Sequence, residues 1–337
     1  MKKRALRKRE RSFFIAAGIL LGSLILGIVV LAFVSDRVSN DTYNEIVLRV
    51  KPEKTESVRV AFIGDQGLTD NAKEVLELIK EEGADMVLHQ GDFDYADDPA
   101  AWDQQINEIL GSDFPYFASI GNHDAARWDD YQKRLKERVT KVKGASCTGE
   151  LGVQSACTYK GIFFILSGIG TKGNDHINFI EQELGKTNAI WRICSWHKNH
   201  NLMQVGNKNN EVPLLAYDTC REGGAIIVSG HDHSYTRTHL MSDFENQIIA
   251  SREYPLEIGN GKTIAIVSGL GGLSVYDPVD SLAAKEWWAI VYTKKQDAEF
   301  GALFCTFHTK DGESLALCYF KTISGKIIDR FELARVF

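Results

Sequence analysis

Short apolar runs alternate with amphipathic, helix-like stretches through most of this chain, beginning near Ser57. Val58–Ile63 and Ala84–His89 are strand-like runs, and Thr69–Glu82 between them repeats apolar residues with the spacing of one helix face. Strands that alternate with helices of this length require right-handed crossovers, so the pattern predicts an α/β fold with a largely parallel sheet. From Thr263 onward the runs are mostly β and locally paired, which predicts a second, antiparallel sheet.

Side chains that bind metals follow five of the strand-like runs. These candidates are Asp65, Asp92, Tyr95, Asn122, His123, His197, His231 and His233. In α/β folds the carboxyl ends of strands are where ligand sites collect. Oxygen ligands combined with imidazoles suit zinc, manganese and iron, whereas a structural zinc site would normally include cysteine. Two such ions about 3.5–4 Å apart clamp a phosphoryl group and activate water. The sequence therefore predicts a two-metal site.

Five short blocks in this order resemble those of the calcineurin-like metallophosphoesterases. The blocks are Gly64-Asp65-Gln66-Gly67, Gly91-Asp92-Phe93-Asp94-Tyr95, Gly121-Asn122-His123-Asp124, His197 and Gly230-His231-Asp232-His233. The resemblance covers residues 58–235, and the C-terminal β region is also similar. It implies a four-layer α/β/β/α metallophosphoesterase sandwich, which we expect to occupy residues 57–337.

The first block departs from the pattern of most of the family. Where most members have Asp-x-His, this chain has Asp65-Gln66-Gly67, and it carries Tyr95 three residues after Asp92. That combination is similar to the purple acid phosphatases, in which a tyrosine takes the place of the missing histidine. The resemblance implies that Asp92 bridges two ions. It assigns Asp65, Tyr95 and His233 as ligands of the first ion. It assigns Asn122, His197 and His231 as ligands of the second. It further implies Fe(III) with Fe(II), Zn(II) or Mn(II).

Catalytic and substrate-binding roles also follow from the resemblance. His123 matches the family's proton donor to the leaving oxygen, and Asp124 is expected to orient its ring. Asn122 and His200 are expected to contact the substrate, with Lys198 or Asn199 as alternatives to His200. The implied reaction is hydrolysis of phosphomonoesters by a metal-bridging hydroxide. Two alternatives stay open: a phosphodiesterase acting on nucleotides or lipid headgroups, and a catalytically silent surface binding protein.

The N-terminus has the pattern of a membrane anchor. Residues 1–12 carry a run of lysines and arginines, and residues 13–34 are uncharged. As a helix that run would be about 33 Å long, enough to cross a bilayer core of about 30 Å. Basic residues before it and acidic residues after it predict a cytoplasmic tail, a single transmembrane helix at 13–34, a stalk at 35–56 and an extracytoplasmic catalytic domain. A cleaved signal peptide would have a shorter apolar core.

Charge and cysteine content narrow the class of protein further. The net charge of −6 argues against a nucleic-acid partner, which would require a basic face. Asp311-Gly312 is a favoured hairpin turn, and counting outward from it places Cys305 directly opposite Cys318. Cys147 and Cys157 bracket a loop that a disulfide would close, which leaves Cys194 and Cys220 to each other or free. The alternative is that all six cysteines are reduced.

Overall fold

The computed structural model describes residues 57–308 and 314–337. The strands in this part of the chain are β1 Ser57–Ile63, β2 Met86–His89, β3 Tyr116–Ala118, β4 Ser146–Glu150, β5 Gln154–Tyr159, β6 Ile162–Ser167, β7 Trp191–Trp196, β8 Ile226–Ser229, β9 Tyr235–Thr238, β10 Leu240–Asp243, β11 Ile248–Ser251, β12 Leu256–Ile258, β13 Ala265–Ser268, β14 Trp288–Tyr292, β15 Gly301–His308, β16 Leu315–Thr322 and β17 Ile327–Arg335. The α-helices are α1 Asp70–Glu81, α2 Pro99–Ile109, α3 Trp128–Lys141, α4 His176–Lys186, α5 Leu214–Glu222 and α6 Asp280–Ala283.

The first two helices begin at residues that satisfy their free N–H groups. The Thr69 side chain accepts a hydrogen bond from Ala72 N at the start of α1, and the Asp98 side chain accepts from Ala100 N and Ala101 N at the start of α2. Asp and Thr are favoured caps because the first N–H groups of a helix lack intrahelical partners. The buried face of α1 includes Val75 and Ile79, as its apolar spacing predicted.

Most strands belong to two large mixed sheets. The first has the strand order β12-β17-β16-β15-β1-β2-β3, and the second has the order β14-β9-β13-β8-β7-β6-β5-β4. Strands β1, β2 and β3 are parallel neighbours, and so are β6, β7 and β8. The predicted parallel arrangement is therefore confirmed, but it is divided between two sheets rather than gathered in one.

The C-terminal strands do not form a separate antiparallel sheet, so that expectation is wrong. β13 joins the second sheet parallel to β8, whereas β15, β16 and β17 extend the first sheet. β15 pairs antiparallel with β1, with Cys305 opposite Val60. A local hairpin pattern specifies which strands pair with each other, but it carries no information on which sheet edge the hairpin joins. Helix α5 begins at Leu214, directly after Pro213 at its N-cap.

Apolar side chains hold the two sheets together and attach the helices. Phe117 packs edge-on against Phe164, with ring centroids 4.8 Å apart, and Trp191 packs against Phe307 at 5.0 Å. Each of these pairs joins the first sheet to the second. α1 contacts β15 and α3 contacts β3, while α4 contacts β5 and β6 and α5 contacts β8. The result is a mixed α/β sandwich, with its largest core between the sheets.

Three disulfides link the six cysteines. Cys305 pairs with Cys318 across β15 and β16 as predicted, and Cys147 pairs with Cys157 across β4 and β5. In both pairs the Cα atoms are 4.1 Å apart, as expected for directly opposed antiparallel residues. Cys194 and Cys220 form the third disulfide, which joins β7 to α5. The alternative of six reduced cysteines is therefore wrong, although the predicted Asp311-Gly312 turn lies outside the described residues.

The described residues contain no membrane-spanning helix: within 57–308 and 314–337, each helix is too short or too polar for that role. The segments 1–12, 13–34 and 35–56, on which the predictions of a tail, an anchor and a stalk rest, lie outside the described residues.

Candidate metal centre

Five strand ends bring the predicted ligands to one place between the two sheets. Asp65, Asp92 and Asn122 follow β1, β2 and β3 of the first sheet, while His197 and His231 follow β7 and β8 of the second. Parallel strands present their carboxyl ends at the same edge of a sheet, so each sheet delivers its ligands together. Hydrogen bonds between the sheets fix their relative position at this edge, including one between His197 Nδ1 and Gln90 O at 2.8 Å.

His197 is the centre of one half of the site. Its Nε2 lies 3.1 Å from each of three atoms: Asp92 Oδ2, Asn122 Oδ1 and His231 Nδ1. The backbone carbonyl of Gln90 can only accept, so Nδ1 of His197 must carry its proton. In the neutral ring, Nε2 then carries a lone pair, which points at the carboxylate and amide oxygens. The ligand atoms of Asp92, His197 and His231 all lie within 4.8 Å of one another.

Tyr95 is the centre of the other half. Its hydroxyl donates to Asp65 Oδ1 across 2.8 Å and lies 3.1 Å from His233 Nε2. The other carboxylate oxygen of Asp65 accepts from the His231 N–H at 2.8 Å. The ring of His233 is held on both sides, because Nδ1 lies 2.6 Å from Ser274 Oγ and the Tyr276 ring stacks on it with centroids 4.0 Å apart.

Asp92 lies between these two groups and is almost completely buried. One of its oxygens faces His197, and the other accepts from the backbone N–H of His123 at 2.8 Å. Close packing on Gly121 fixes this position, since a Cβ atom there would lie 2.1 Å from Asp92 N and 2.2 Å from Asp92 Oδ1. Any side chain at residue 121 would therefore displace Asp92.

Four candidate ligands have backbone conformations that are unusual for residues other than glycine. Asp65, Asp92, Tyr95 and His231 have φ values of 61°, 60°, 60° and 70°. The left-handed region costs a non-glycine residue about 1–3 kcal/mol, and such strain is concentrated at functional sites. These residues lie on the turns that follow β1, β2 and β8. The surrounding fold therefore stabilises geometry that the local sequence disfavours.

The electrostatics of the centre favour positive charge. Burial opposes a charge on His197, but the Asp92 carboxylate beside it outweighs burial and raises the pKa of His197 to about 9. In the chain without ions, a proton on His197 thus supplies the cation that the carboxylates require. Burial together with the neighbouring positive charges of His197 and Lys208 lowers the pKa of His231 to about 3. His231 is therefore a neutral imidazole, the form that binds metal.

These residues fit a pair of metal ions. Three acceptor atoms surround Nε2 of His197: Asp92 Oδ2, Asn122 Oδ1 and His231 Nδ1. Nε2 can carry only one proton, so it cannot donate a full hydrogen bond to all three. A divalent cation would satisfy all of them at once, and the mixed nitrogen and oxygen set suits zinc, manganese or iron. At the other half, Asp65, Tyr95 and His233 supply two oxygens and a nitrogen, with Asp92 available to both halves.

His123 and Asp124 do not form the pair that the sequence predicted. The His123 side chain is exposed, with its ring 4.4 Å from that of Tyr95. Asp124 is buried and accepts from the backbone N–H groups of Asp92, Phe93 and Gly121 at 2.7–2.9 Å. Its carboxylate is therefore occupied by the loop that carries Asp92. This corrects the expected role of Asp124 from orienting the His123 ring to fixing the position of Asp92.

The residues predicted to contact the substrate lie less close together than the candidate metal ligands. Asn122 faces His197, but the His200 ring accepts from the Leu202 N–H at 3.1 Å and caps a short 3₁₀ turn. Lys198 pairs with Glu211, a residue that the sequence motifs did not identify. Glu211 also contacts His231, with Oε2 and Nε2 2.9 Å apart. No sequence motif marks Glu211, which lies on the loop between β7 and α5.

A comparison with protein families matches residues 58–235 to the model of the calcineurin-like phosphoesterases. The match covers more than half of the chain and includes all five strand ends. The chain belongs to the calcineurin-like phosphoesterase family. The resemblance that the five blocks predicted is therefore confirmed at the level of the family, and Asp92, His197 and His231 form a group that could hold a metal ion.

Several solved structures share the fold of this phosphoesterase. One is purple acid phosphatase PPD1 from yellow lupin seeds (Lupinus luteus), with a TM-score of 0.62 and 20% identity over 85% of this chain. The match covers 55% of the lupin enzyme, so this chain spans little more than half of its length. At 20% identity the similarity shows a shared fold.

Two further structures have similar scores. PhoD gives a TM-score of 0.53 at 12% identity, covering 81% of this chain and 72% of PhoD. GAP50, described as the anchor in the inner membrane complex of Plasmodium, gives 0.54 at 15% identity, covering 82% of this chain and 89% of GAP50. At these identities the comparisons concern the fold alone.

Proposed function

We propose that this chain is a membrane-anchored phosphoesterase that hydrolyses phosphomonoesters outside the cytoplasm with two metal ions. The observation that carries the proposal is the convergence of Asp92, Asn122 and His231 on Nε2 of His197, each at 3.1 Å. So many acceptors around one ring nitrogen are explained by a bound cation. Helices outside two packed sheets also support the four-layer α/β/β/α arrangement expected for the family.

Each of the gathered side chains then has a proposed role. Asp65, Tyr95 and His233 would hold the first ion, Asn122, His197 and His231 the second, and Asp92 both. When bound, the ions supply charge that lowers the pKa of water and neutralises the phosphoryl group. Asp124 keeps Asp92 in place through three backbone N–H groups.

His123 is the proposed proton donor. Its ring is exposed beside Tyr95, while its own N–H is held by Asp92. An imidazole held at the rim in this way is free to deliver a proton to the leaving oxygen of a substrate. Asn122 and His200 are the proposed substrate contacts. For His200 this role requires the ring to leave the Leu202 N–H that it now caps.

Tyr95 is the basis for proposing Fe(III) at the first site, with Fe(II), Zn(II) or Mn(II) at the second. Three anionic ligands, Asp65, Asp92 and a Tyr95 phenolate, would offset the charge of a trivalent ion better than neutral imidazoles. Gly67 stands where most relatives have histidine, and its φ of 78° fits glycine. The first half of the site therefore lacks that softer nitrogen ligand.

The proposed location rests on two features. Residues 13–34 have the length and composition of a membrane span, and the basic residues before them favour a cytoplasmic N-terminus. Three disulfides within the described residues suit an oxidising compartment outside the cytoplasm. The lipid bilayer is thus a proposed partner through residues 13–34, and the phosphate ester is the proposed substrate.

An assay of alcohol release from chromogenic phosphate esters by the full-length, metal-loaded protein tests this function, because hydrolysis of a monoester and of a diester both release the alcohol. A phosphomonoester and a phosphodiester are compared in parallel, and the metal content of the same sample is measured. We expect about two ions per chain and faster release from the monoester. Faster hydrolysis of the diester would instead support the phosphodiesterase alternative.

A silent binding protein is the second candidate, because GAP50, described as an anchor, shares the fold over 89% of its length. This candidate predicts no hydrolysis of either ester after metal loading. The gathered ligand set argues against it, since a chain that has lost turnover is under no constraint to keep seven such side chains in contact.

A further inference from the structure

Glu211 contacts His231 at Nε2, the ring nitrogen that does not face His197. It lies on the loop between β7 and α5, where its backbone N–H donates to Asn199 O at 3.2 Å. Its Oε2 lies 2.9 Å from Nε2 of His231, and its Oε1 pairs with the Lys198 ammonium. The side chain of Glu211 is 21% exposed and that of Lys198 is 16% exposed, so both groups are largely shielded from water.

The contact determines which nitrogen of His231 carries the proton. A carboxylate can only accept, so Nε2 of His231 must donate to Glu211. Nδ1 then keeps its lone pair, and that atom lies 3.1 Å from His197 Nε2, within the group of acceptors around His197. The opposite tautomer would direct an N–H at the metal position and exclude the ion.

The carboxylate is itself held in place. Asp232 Oδ2 accepts from the N–H groups of Val205 and Gly206, which fixes the loop that carries Glu211 to the block that carries His231. The side-chain amide of Asn199 donates to Gly230 O at 2.7 Å and adds a second connection. These hydrogen bonds connect the loop to the ligand block and support the position of Glu211 beside the ring.

We propose that Glu211 is a positioning residue that fixes the tautomer and ring orientation of His231 for the second metal ion, a role that rests on the proposed function. Carboxylates that bind the second nitrogen of a metal-ligating histidine orient the ring and raise its basicity, and their loss costs about 10–100-fold in metal affinity. Lys198 holds the carboxylate, which links the residue after the ligand His197 to the ligand His231.

Zinc titration of the full-length, metal-free protein by calorimetry tests the inference. The unaltered chain should show two binding events, and Asn122→Ala identifies the event that belongs to the second site. Glu211→Ala should weaken that same event about 10–100-fold and leave the other unchanged. Glu211→Gln should recover part of the affinity, because its amide oxygen can still accept from Nε2. The matched control is Glu222→Ala, whose side chain is 72% exposed and which should bind as the unaltered chain does.

Three results separate the possible failures. Two unchanged binding events in Glu211→Ala would overturn the inference alone. Equal weakening of both events together with a lower thermal midpoint of the metal-free protein would also overturn it, because Glu211 would then be a general structural residue. No zinc binding by the unaltered chain would contradict the proposed function, and the inference with it.

Discussion

The hydroxyl of Tyr95 donates to Oδ1 of Asp65 across 2.8 Å, so the phenol and the first carboxylate of the candidate centre are already in contact. Burial, reinforced by the charges of Asp65 and Asp92, raises the pKa of Tyr95 far above its usual range. The phenol therefore keeps its proton in the chain without ions. A strongly charged cation is required to displace it, which is why this residue bears on metal identity.

We expect the protein purified aerobically with iron to be coloured, and Tyr95→Phe to be colourless. Iron(III) bound to phenolate absorbs visible light by ligand-to-metal charge transfer, and phenylalanine provides no oxygen ligand. The absorption spectrum and the iron content of both proteins provide the test. Because the aromatic ring is retained, circular dichroism of Tyr95→Phe should match that of the unaltered chain. A colourless, fully active enzyme containing only zinc or manganese would refute Fe(III) at this site.

His123→Ala should keep both metal ions but slow the hydrolysis of esters with poor leaving groups. The ring is exposed and makes none of the contacts around His197, so its loss should leave the ligand set intact. General acid catalysis contributes about 10²–10⁴-fold, and an activated ester with a good leaving group does not need it. The ratio of kcat/KM for a poor and a good leaving group is the measurement. Equal losses on both esters would exclude the role of proton donor.

His89 should make the metal-free protein less stable in acid. Its ring is fully buried against Phe93 and Tyr116, and its Nδ1 accepts from the Gly91 N–H at 3.0 Å. Burial lowers the pKa of His89 to about 3, from its ordinary value of 6.5. Below pH 6.5 the His89 ring of the unfolded chain binds a proton, whereas the buried ring of the folded chain stays neutral until the pH approaches about 3. The free energy of unfolding should therefore fall by about 1.4 kcal/mol per pH unit from pH 6.5 toward pH 3.

His89→Asn provides the comparison, because its amide oxygen can still accept from Gly91 but does not titrate. Chemical denaturation at pH 6.5 and at pH 4.5 should show a smaller loss of stability in this variant than in the unaltered chain. Above pH 6.5 the two proteins should respond to pH alike. Identical losses between pH 6.5 and pH 4.5 would mean that His89 is not held neutral by the fold.

The sequence predicted the site better than it predicted the arrangement of the sheets. A short apolar run followed by glycine and aspartate, as at Asp65 and Asp92, indicates a strand end, and parallel strands bring their ends to one edge. The hairpin count that set Cys305 opposite Cys318 worked because pairing across a two-residue turn is local. By contrast, the sheet that β15–β17 join is decided by β1, more than 200 residues earlier in the chain, and no local pattern encodes that choice.

Two residues of the centre show a second limit of prediction from the sequence. Asp124 stands beside His123 in the sequence, which suggested a contact between their side chains, yet its carboxylate binds three backbone N–H groups instead. Glu211 has no motif, and it reaches His231 only because the loop folds back onto the end of β8. Both roles depend on backbone directions at turns, where residues such as Asp92 and His231 adopt positive φ values that local preference disfavours.

The most direct test of the two-metal account is to measure bound metal and phosphate release in Asp92→Asn. Asp92 lies between both halves of the centre, so losing its charge should remove most bound metal and nearly all hydrolysis. Asp70→Asn is the matched control, since the Asp70 side chain is 94% exposed on α1 and should leave both unchanged. The account predicts about two ions per chain in the unaltered protein and in Asp70→Asn, with few in Asp92→Asn. Two ions and normal turnover in Asp92→Asn would contradict it.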